Sequence, residues 1–188
     1  MSKLHHIGPR ITWYEKDQSL YVTISGKVEP WKETLLMVWL LAWTICGSIV
    51  AGQLAFAENS QQNFIFLLIY LSFWLYFELR IGRAFLWRKY GNERLRIGEG
   101  KMFYKREMRS FGKAKTYITN NIQKFQIIDQ PDRSFAKAYG KSWWVVGGET
   151  IEFDYLGNST RIAMQLQQEE VKAIHHVMRQ KIREQNRG

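Results

Sequence analysis

Two long stretches of the chain show no alternation of apolar and polar positions. Residues 35–57, LLMVWLLAWTICGSIVAGQLAFA, run for 23 positions without a charged side chain, and residues 64–77, FIFLLIYLSFWLYF, form a second uncharged, nearly all-apolar run. A helix that crosses the hydrocarbon core of a bilayer needs about 20 residues at ~1.5 Å each. The first run meets that length, whereas the core helix of a soluble domain is usually shorter. Trp31 and Lys32 precede it as a headgroup anchor would, and the polar-mixed residues before it do not fit a cleaved signal peptide. The second run loses its uncharged character at Glu78, Arg80 and Arg83, then resumes as Ala84-Phe85-Leu86-Trp87. A span over 63–87 is therefore expected to tilt or to project, with the arginines reaching toward headgroups. Glu78 is costly there unless it faces a partner helix or the water boundary, since Gly82 at i+4 offers no charge. The connector Glu58–Asn63 is short enough to force an antiparallel helical hairpin. Gly47, Ala51 and Ala55 form a small-residue stripe on the first helix, which suits close packing on the second.

Before the hairpin, Ile11 and Trp13 share one face of a β-leaning stretch. Leu20, Val22 and Ile24 alternate with polar positions in another, and Asp17-Gln18-Ser19 turns the chain between them. Two strands alone are marginal in water, so this β hairpin in residues 1–30 is expected to pack on, or extend, a larger sheet. His5 and His6 are adjacent and lack metal-ligand spacing; they read as histidines of a disordered terminus.

After the hairpin the pattern changes to short strands separated by turn signals. The expected strands are RLRI, KMFYKREM, KAKTYIT, IQKFQII, SWWVV, TIEFDY and STRIAMQL, with a longer loop over 129–142. In residues 168–185, Val171, Ile174, Met178 and Ile182 recur at helical spacing. Glu169 and Glu170 fall in the first turn and Arg179, Lys181 and Arg183 near the end, which suits the helix dipole. Such an amphipathic helix is expected to close one end of a curled antiparallel sheet. A helix lying on the membrane fits less well, because its apolar face lacks an aromatic anchor.

Seven strands followed by a C-terminal helix resemble a pleckstrin-homology-like (PH-like) fold. Joined to a preceding membrane hairpin, the layout is similar to small bacterial membrane proteins that carry a PH-like domain and, more distantly, to photosystem-assembly membrane proteins. The resemblance covers residues 31–185 and is one of layout. The expected organisation is thus an N-terminal β hairpin (1–30), a two-helix transmembrane hairpin (31–90) and a PH-like barrel or sandwich closed by a helix (91–188).

Charge adds an orientation. The net charge is +10, but residues 80–188 hold 22 Lys or Arg against 11 Asp or Glu, and residues 1–79 hold 5 against 6. Basic residues follow the second run while the connector carries none. The positive-inside rule then puts both termini in the cytoplasm, at the inner membrane of a bacterium. The mean hydropathy of -0.33 averages the two runs with this polar half.

Candidate chemistry is sparse. Cys46 stands alone inside the first run and is expected to be a small buried hydrophobe. No dinucleotide, P-loop, zinc-protease, nucleophile-elbow or CxxC motif occurs, and no catalytic, metal or cofactor-binding residue is singled out. His175 and His176 are adjacent on the final helix and diverge, and Asp129, Asp132 and Asp154 are scattered. Nucleic-acid binding has the charge but no recognition motif, although Trp143-Trp144 would suit base stacking.

Two non-enzymatic readings follow, and an enzyme whose active site is assembled from residues distant in sequence is a third, weaker alternative. In the first, the chain is a scaffold, accessory or assembly protein whose soluble domain docks on a membrane protein complex or a second copy, through Tyr139, Trp143 and Trp144. In the second, Lys101, Lys105, Arg106, Arg109, Lys113 and Lys115 bind anionic lipid headgroups. In eukaryotic PH domains basic residues around the first strand hairpin do this, and these six are loosely similar in placement.

Overall fold

The computed structural model describes residues 3–57, 60–128 and 142–187. The first three strands are β1 (His5–Ile7), β2 (Ile11–Lys16) and β3 (Ser19–Ser25). Two long helices follow, α1 (Pro30–Phe56) and α2 (Gln61–Tyr90). Next come β4 (Gly91–Gly98), β5 (Lys101–Met108), β6 (Ala114–Ile118), a short 3-10 turn, β7 (Ile122–Ile127), β8 (Glu149–Tyr155) and β9 (Asn158–Met164). Helix α3 (Gln168–Gln185) ends the chain's regular structure.

Strands β1 to β6 form one antiparallel sheet in chain order, and β7 to β9 form a second. The N-terminal strands therefore extend the larger sheet, and β3 pairs with β4 from Leu20↔Ile97 to Ser25↔Asn92. The helical hairpin is inserted between two adjacent strands of that sheet. Asp17 and Gln18 both adopt positive φ, as a two-residue hairpin turn requires. His5 is ordered, contrary to the expectation for the terminus, because its ring stacks on Trp13 at 4.3 Å and β1 pairs with β2.

Strand parity fills the core. Leu20, Val22 and Ile24 of β3, Leu95 and Ile97 of β4, and Met102 and Tyr104 of β5 turn the same way. They meet Ile151, Phe153 and Ile162 of the second sheet and Val171, Ile174, Met178 and Ile182 of α3. The four apolar positions of the C-terminal helix are thus buried in a core that both sheets share. A capping box starts this helix, with the Gln167 amide donating to the Glu170 carboxylate at 3.0 Å.

One expected strand is absent. SWWVV forms no ladder, and its residues 143–146 lie in turns and bends. The carbonyls of Trp143 and Val145 instead accept from the Arg88 guanidinium. Gly147 and Gly148, both at positive φ, return the chain to β8.

Helices α1 and α2 are long and apolar enough to cross a membrane. At ~1.5 Å per residue they extend ~40 Å and ~45 Å, more than a hydrocarbon core of roughly 30 Å. Their outward faces are almost wholly apolar, with Leu41, Ile45, Ile49, Phe66, Phe73 and Leu79 exposed. Between the helices, the Trp74 indole N–H donates to the Trp43 carbonyl at 2.8 Å, and the Trp43 N–H returns the bond at 3.4 Å. Gly47 is buried under Trp74, whereas Ala51 and Ala55 are exposed. Cys46 is exposed on α1 rather than buried, since Gly47 and not its neighbour faces α2. Glu78 faces the partner helix and accepts from the Thr44 hydroxyl at 2.7 Å.

The Gly47 contact yields a direct test. A Cβ there would overlap the Trp74 ring, so Gly47→Val should displace the indole and cost about 1–3 kcal/mol. Crosslinking between cysteines placed on facing positions of α1 and α2 in a Cys46-free background should fall sharply. An unchanged yield would show that the helices tolerate the extra carbons.

Candidate functional site: the junction of hairpin and sheets

The helices leave and re-enter the larger sheet through neighbouring strands, so their bases are held close. The Gly26 amide donates to the Gly91 carbonyl at 2.8 Å. A Cβ on Gly26 would come within 2.6 Å of the Trp87 carbonyl, so only glycine fits this approach. Two arginines lie beneath. Arg88, 1% exposed, donates from Nε to the Trp143 carbonyl at 3.0 Å, from Nη2 to the Val145 carbonyl at 3.0 Å, and to the Gln165 side-chain oxygen. Its Nη1 faces the Gly26 carbonyl at 3.5 Å. Arg10 donates from Nε to the Ser25 carbonyl at 2.9 Å and from Nη1 to the Gln165 carbonyl at 2.7 Å. Burial lowers the Arg10 pKa, opposed by the charges of Glu170 and Glu93. Together the two side chains tie α2, the end of β3, the 142–145 segment and the end of β9 into one joint.

A second network crosses between the sheets. Glu93 and Arg106 sit opposite each other on β4 and β5, in phase with core residues. Glu93 is 1% exposed. Its carboxylate accepts from the amides of Ala163 and Met164, both at 2.9 Å, and from the Tyr104 hydroxyl at 3.0 Å. Ala163 adopts φ 63°, which aims both amides inward. Arg106 donates from Nε to the Tyr104 oxygen at 2.6 Å and from Nη2 to Glu149 at 2.8 Å. Burial pushes the Glu93 pKa up, against the opposing effects of Arg106 and the three donors. Burial and the Glu93 charge push Tyr104 up as well. Burial works against the Arg106 charge, but Tyr104 and Glu93 outweigh it and raise its pKa.

The six basic residues of the expected lipid patch are dispersed. Lys101 lies at the far end of the sheet beside the β4–β5 turn, opposite Ile118. Lys105 is on the outer face, where it pairs with Glu107 at 3.0 Å and donates to the Ser110 carbonyl. Arg106 points between the sheets. Arg109 and Lys113 lie in the β5–β6 loop at the hairpin end, and Lys115 is exposed on β6. Of the expected docking residues, Trp143 meets Trp31 at 6.4 Å and Trp144 at 5.3 Å, with Trp144 exposed. Tyr139 lies outside the described residues, as do Asp129 and Asp132.

No three His, Cys, Asp or Glu side chains converge as metal ligands among the described residues. His175 stacks on Phe125 at 5.2 Å, and its Nε2 contacts the Phe125 carbonyl at 3.2 Å. A shallow groove of about 500 Å3 lies between β7 and α3, lined by Phe125, Ile127, His175, Arg179 and Arg183, with no nucleophile–base pair in it among the described residues. At the junction the Arg88 and Arg10 guanidinium groups donate to backbone carbonyls, while between the sheets the Glu93 carboxylate accepts from backbone amides and Arg106 pairs with Glu149. No family model, curated protein or solved structure matches the chain.

Proposed function

We propose that the chain is a membrane-anchored scaffold or assembly protein, with α1 and α2 spanning a bacterial inner membrane and a PH-like domain docking on a membrane protein complex. The observation that carries this reading is the insertion of an outwardly apolar helical hairpin between two hydrogen-bonded strands, β3 and β4. A domain mounted this way is held at the bilayer surface in a fixed attitude, which suits presentation of a protein-binding face better than turnover of a soluble substrate. The PH-like assignment draws on the order of β3–β6, then β7–β9, then α3, with β1 and β2 as additions. Cytoplasmic orientation draws on Lys27, Lys32, Arg80, Arg83, Arg88 and Lys89, all at the domain end of the helices. The exposed Trp144 beside Trp143 is the favoured docking point.

The test is crosslinking and affinity purification of the full chain from native membranes in mild detergent. The chain should resist alkaline carbonate extraction and carry one defined membrane protein partner, or a second copy of itself. Trp144→Ala should reduce that capture several-fold. Release by carbonate would remove the membrane reading. A carbonate-resistant chain that crosslinks to nothing would remove the scaffold reading alone.

A further inference from the structure

We propose that the β5–β6 loop, tipped by Phe111 and flanked by Arg109 and Lys113, is a second membrane contact that seats in the headgroup layer and binds anionic phospholipids of the bilayer holding the hairpin. The proposal rests on the membrane-spanning reading of α1 and α2. Phe111 is 84% exposed, and the loop displays it by construction. Arg109 and Ser110 adopt φ 49° and 75°. Met108 and Phe111 exchange both backbone hydrogen bonds, at 2.8 and 3.0 Å, and Lys105 ties down the Ser110 carbonyl at 2.9 Å. A large aromatic side chain held outward on a pinned turn lacks a burial partner within the described residues.

The location supplies one. The Arg109 amide donates to the carbonyl of Tyr90, the last residue of α2, at 3.4 Å. The Arg109 guanidinium lies over the Tyr90 ring at 4.0 Å. The loop therefore abuts the point where α2 enters the domain. Apolar surface persists to this level, since Leu86, one turn before Tyr90, is 45% exposed. Tyr90 lies ~10 Å along the helix from Arg83, against roughly 5–8 Å for one headgroup layer, so the base of the loop stands at the outer boundary of that layer. At the start of α1, Trp31 is exposed as well, where an interfacial aromatic belongs. Arg109 and Lys113 make no ion pair to a described carboxylate within 4.0 Å, in contrast to Arg94, Lys105 and Arg106, which do. A cation pair flanking an aromatic tip selects anionic headgroups over neutral ones.

The experiment uses the full chain with Cys46 replaced, reconstituted into vesicles of neutral lipid alone or with about one third anionic lipid (a proportion chosen so that surface charge dominates). An environment-sensitive fluorophore is placed at Phe111→Cys, at Phe73→Cys on α2, or at Leu156→Cys. Leu156 is 68% exposed on the β8–β9 turn, at the end of the sheets remote from the hairpin. The Phe111 label should be quenched by headgroup-borne quenchers and shielded from aqueous iodide, at least twofold more in anionic vesicles, while the Leu156 label stays aqueous. Arg109→Gln with Lys113→Gln should abolish the anionic preference. If the Phe73 label is lipid-quenched but Phe111 behaves as Leu156 does, the loop contact is wrong and the spanning hairpin stands. Equal quenching of Phe111 in both vesicle types removes the anionic headgroup from the proposal. A Phe73 label open to iodide overturns both readings.

Discussion

Replacing Glu93 with alanine should lower the melting temperature of the sheet domain by roughly 6–12 °C, the equivalent of about 3 kcal/mol for a chain of this size. The side chain is buried and accepts from the Ala163 and Met164 amides and the Tyr104 hydroxyl. Removing it orphans two backbone donors between the sheets, and each buried unsatisfied donor costs about 1–3 kcal/mol. Relaxation of β9 recovers part of that loss. Arg106 also loses the carboxylate opposite it, although Glu149 still holds one Nη2 hydrogen bond. Glu93→Gln should cost less, because one oxygen survives, but its NH2 group must then face a backbone N–H. Thermal melts of the domain's near-ultraviolet circular dichroism in detergent or nanodiscs measure this ranking. If the alanine variant melts with the native chain, the carboxylate is not the link between the sheets.

The same residue gives stability a pH dependence whose sign follows from its environment. Burial raises the folded-state pKa of Glu93 above its unfolded value, so folding favours the protonated carboxyl. Its contribution is complete below about pH 4.3, the unfolded value, and is lost as pH rises through the folded value. Raising pH through and above the ordinary carboxylate range should lower the native melting temperature. The Gln variant, which does not titrate, should have a shallower slope over that window.

Legibility in the sequence tracks how local the deciding physics is. The two apolar runs declared α1 and α2 because a long uncharged segment needs no partner to be recognised. Val171, Ile174, Met178 and Ile182 announced the buried face of α3 through helical period alone. Glu93 and Arg106 were readable in principle, since each shares the parity of core residues, Leu95 and Ile97 in one strand and Met102 and Tyr104 in the other. A charge at a core parity position is the signal for a buried network. SWWVV failed for the opposite reason. Its β-prone side chains say nothing of the remote guanidinium that takes its carbonyls. Likewise Gly47 was visible as a small residue, but which member of the Gly47, Ala51 and Ala55 stripe meets α2 depends on where Trp74 sits. The six basic positions looked like a patch because they are near in sequence. Strand alternation and length send Lys101, Arg106 and Lys113 to an end, an inner face and the opposite end.

Arg88→Met should uncouple the hairpin from the domain while leaving both individually folded. Methionine keeps most of the stem volume but no donor. The carbonyls of Trp143 and Val145 and the side-chain oxygen of Gln165 then lose the group that holds them. Neutral acceptors near a surface loop can regain water, so the cost concentrates where the loop opens and amounts to about 3 kcal/mol or less. Hydrogen exchange should accelerate at the amides of Val145, bonded to the Ser142 carbonyl, and Gln165, bonded to the Gly148 carbonyl. The strands β4 and β5 should keep their protection. Arg88→Lys should behave more like the methionine variant than like the native chain. A single ammonium cannot straddle the loop carbonyls on one side and Gly26 on the other, as a planar guanidinium does. If the scaffold reading holds, capture of the partner should fall with loop protection even though the chain stays in the carbonate-resistant fraction, because a docking face must keep a fixed attitude to the bilayer. Unchanged exchange at Val145 and Gln165 would mean that Arg88 only fills space, and that the rigidity of the joint comes from the close approach of Gly26 to Trp87 and Gly91.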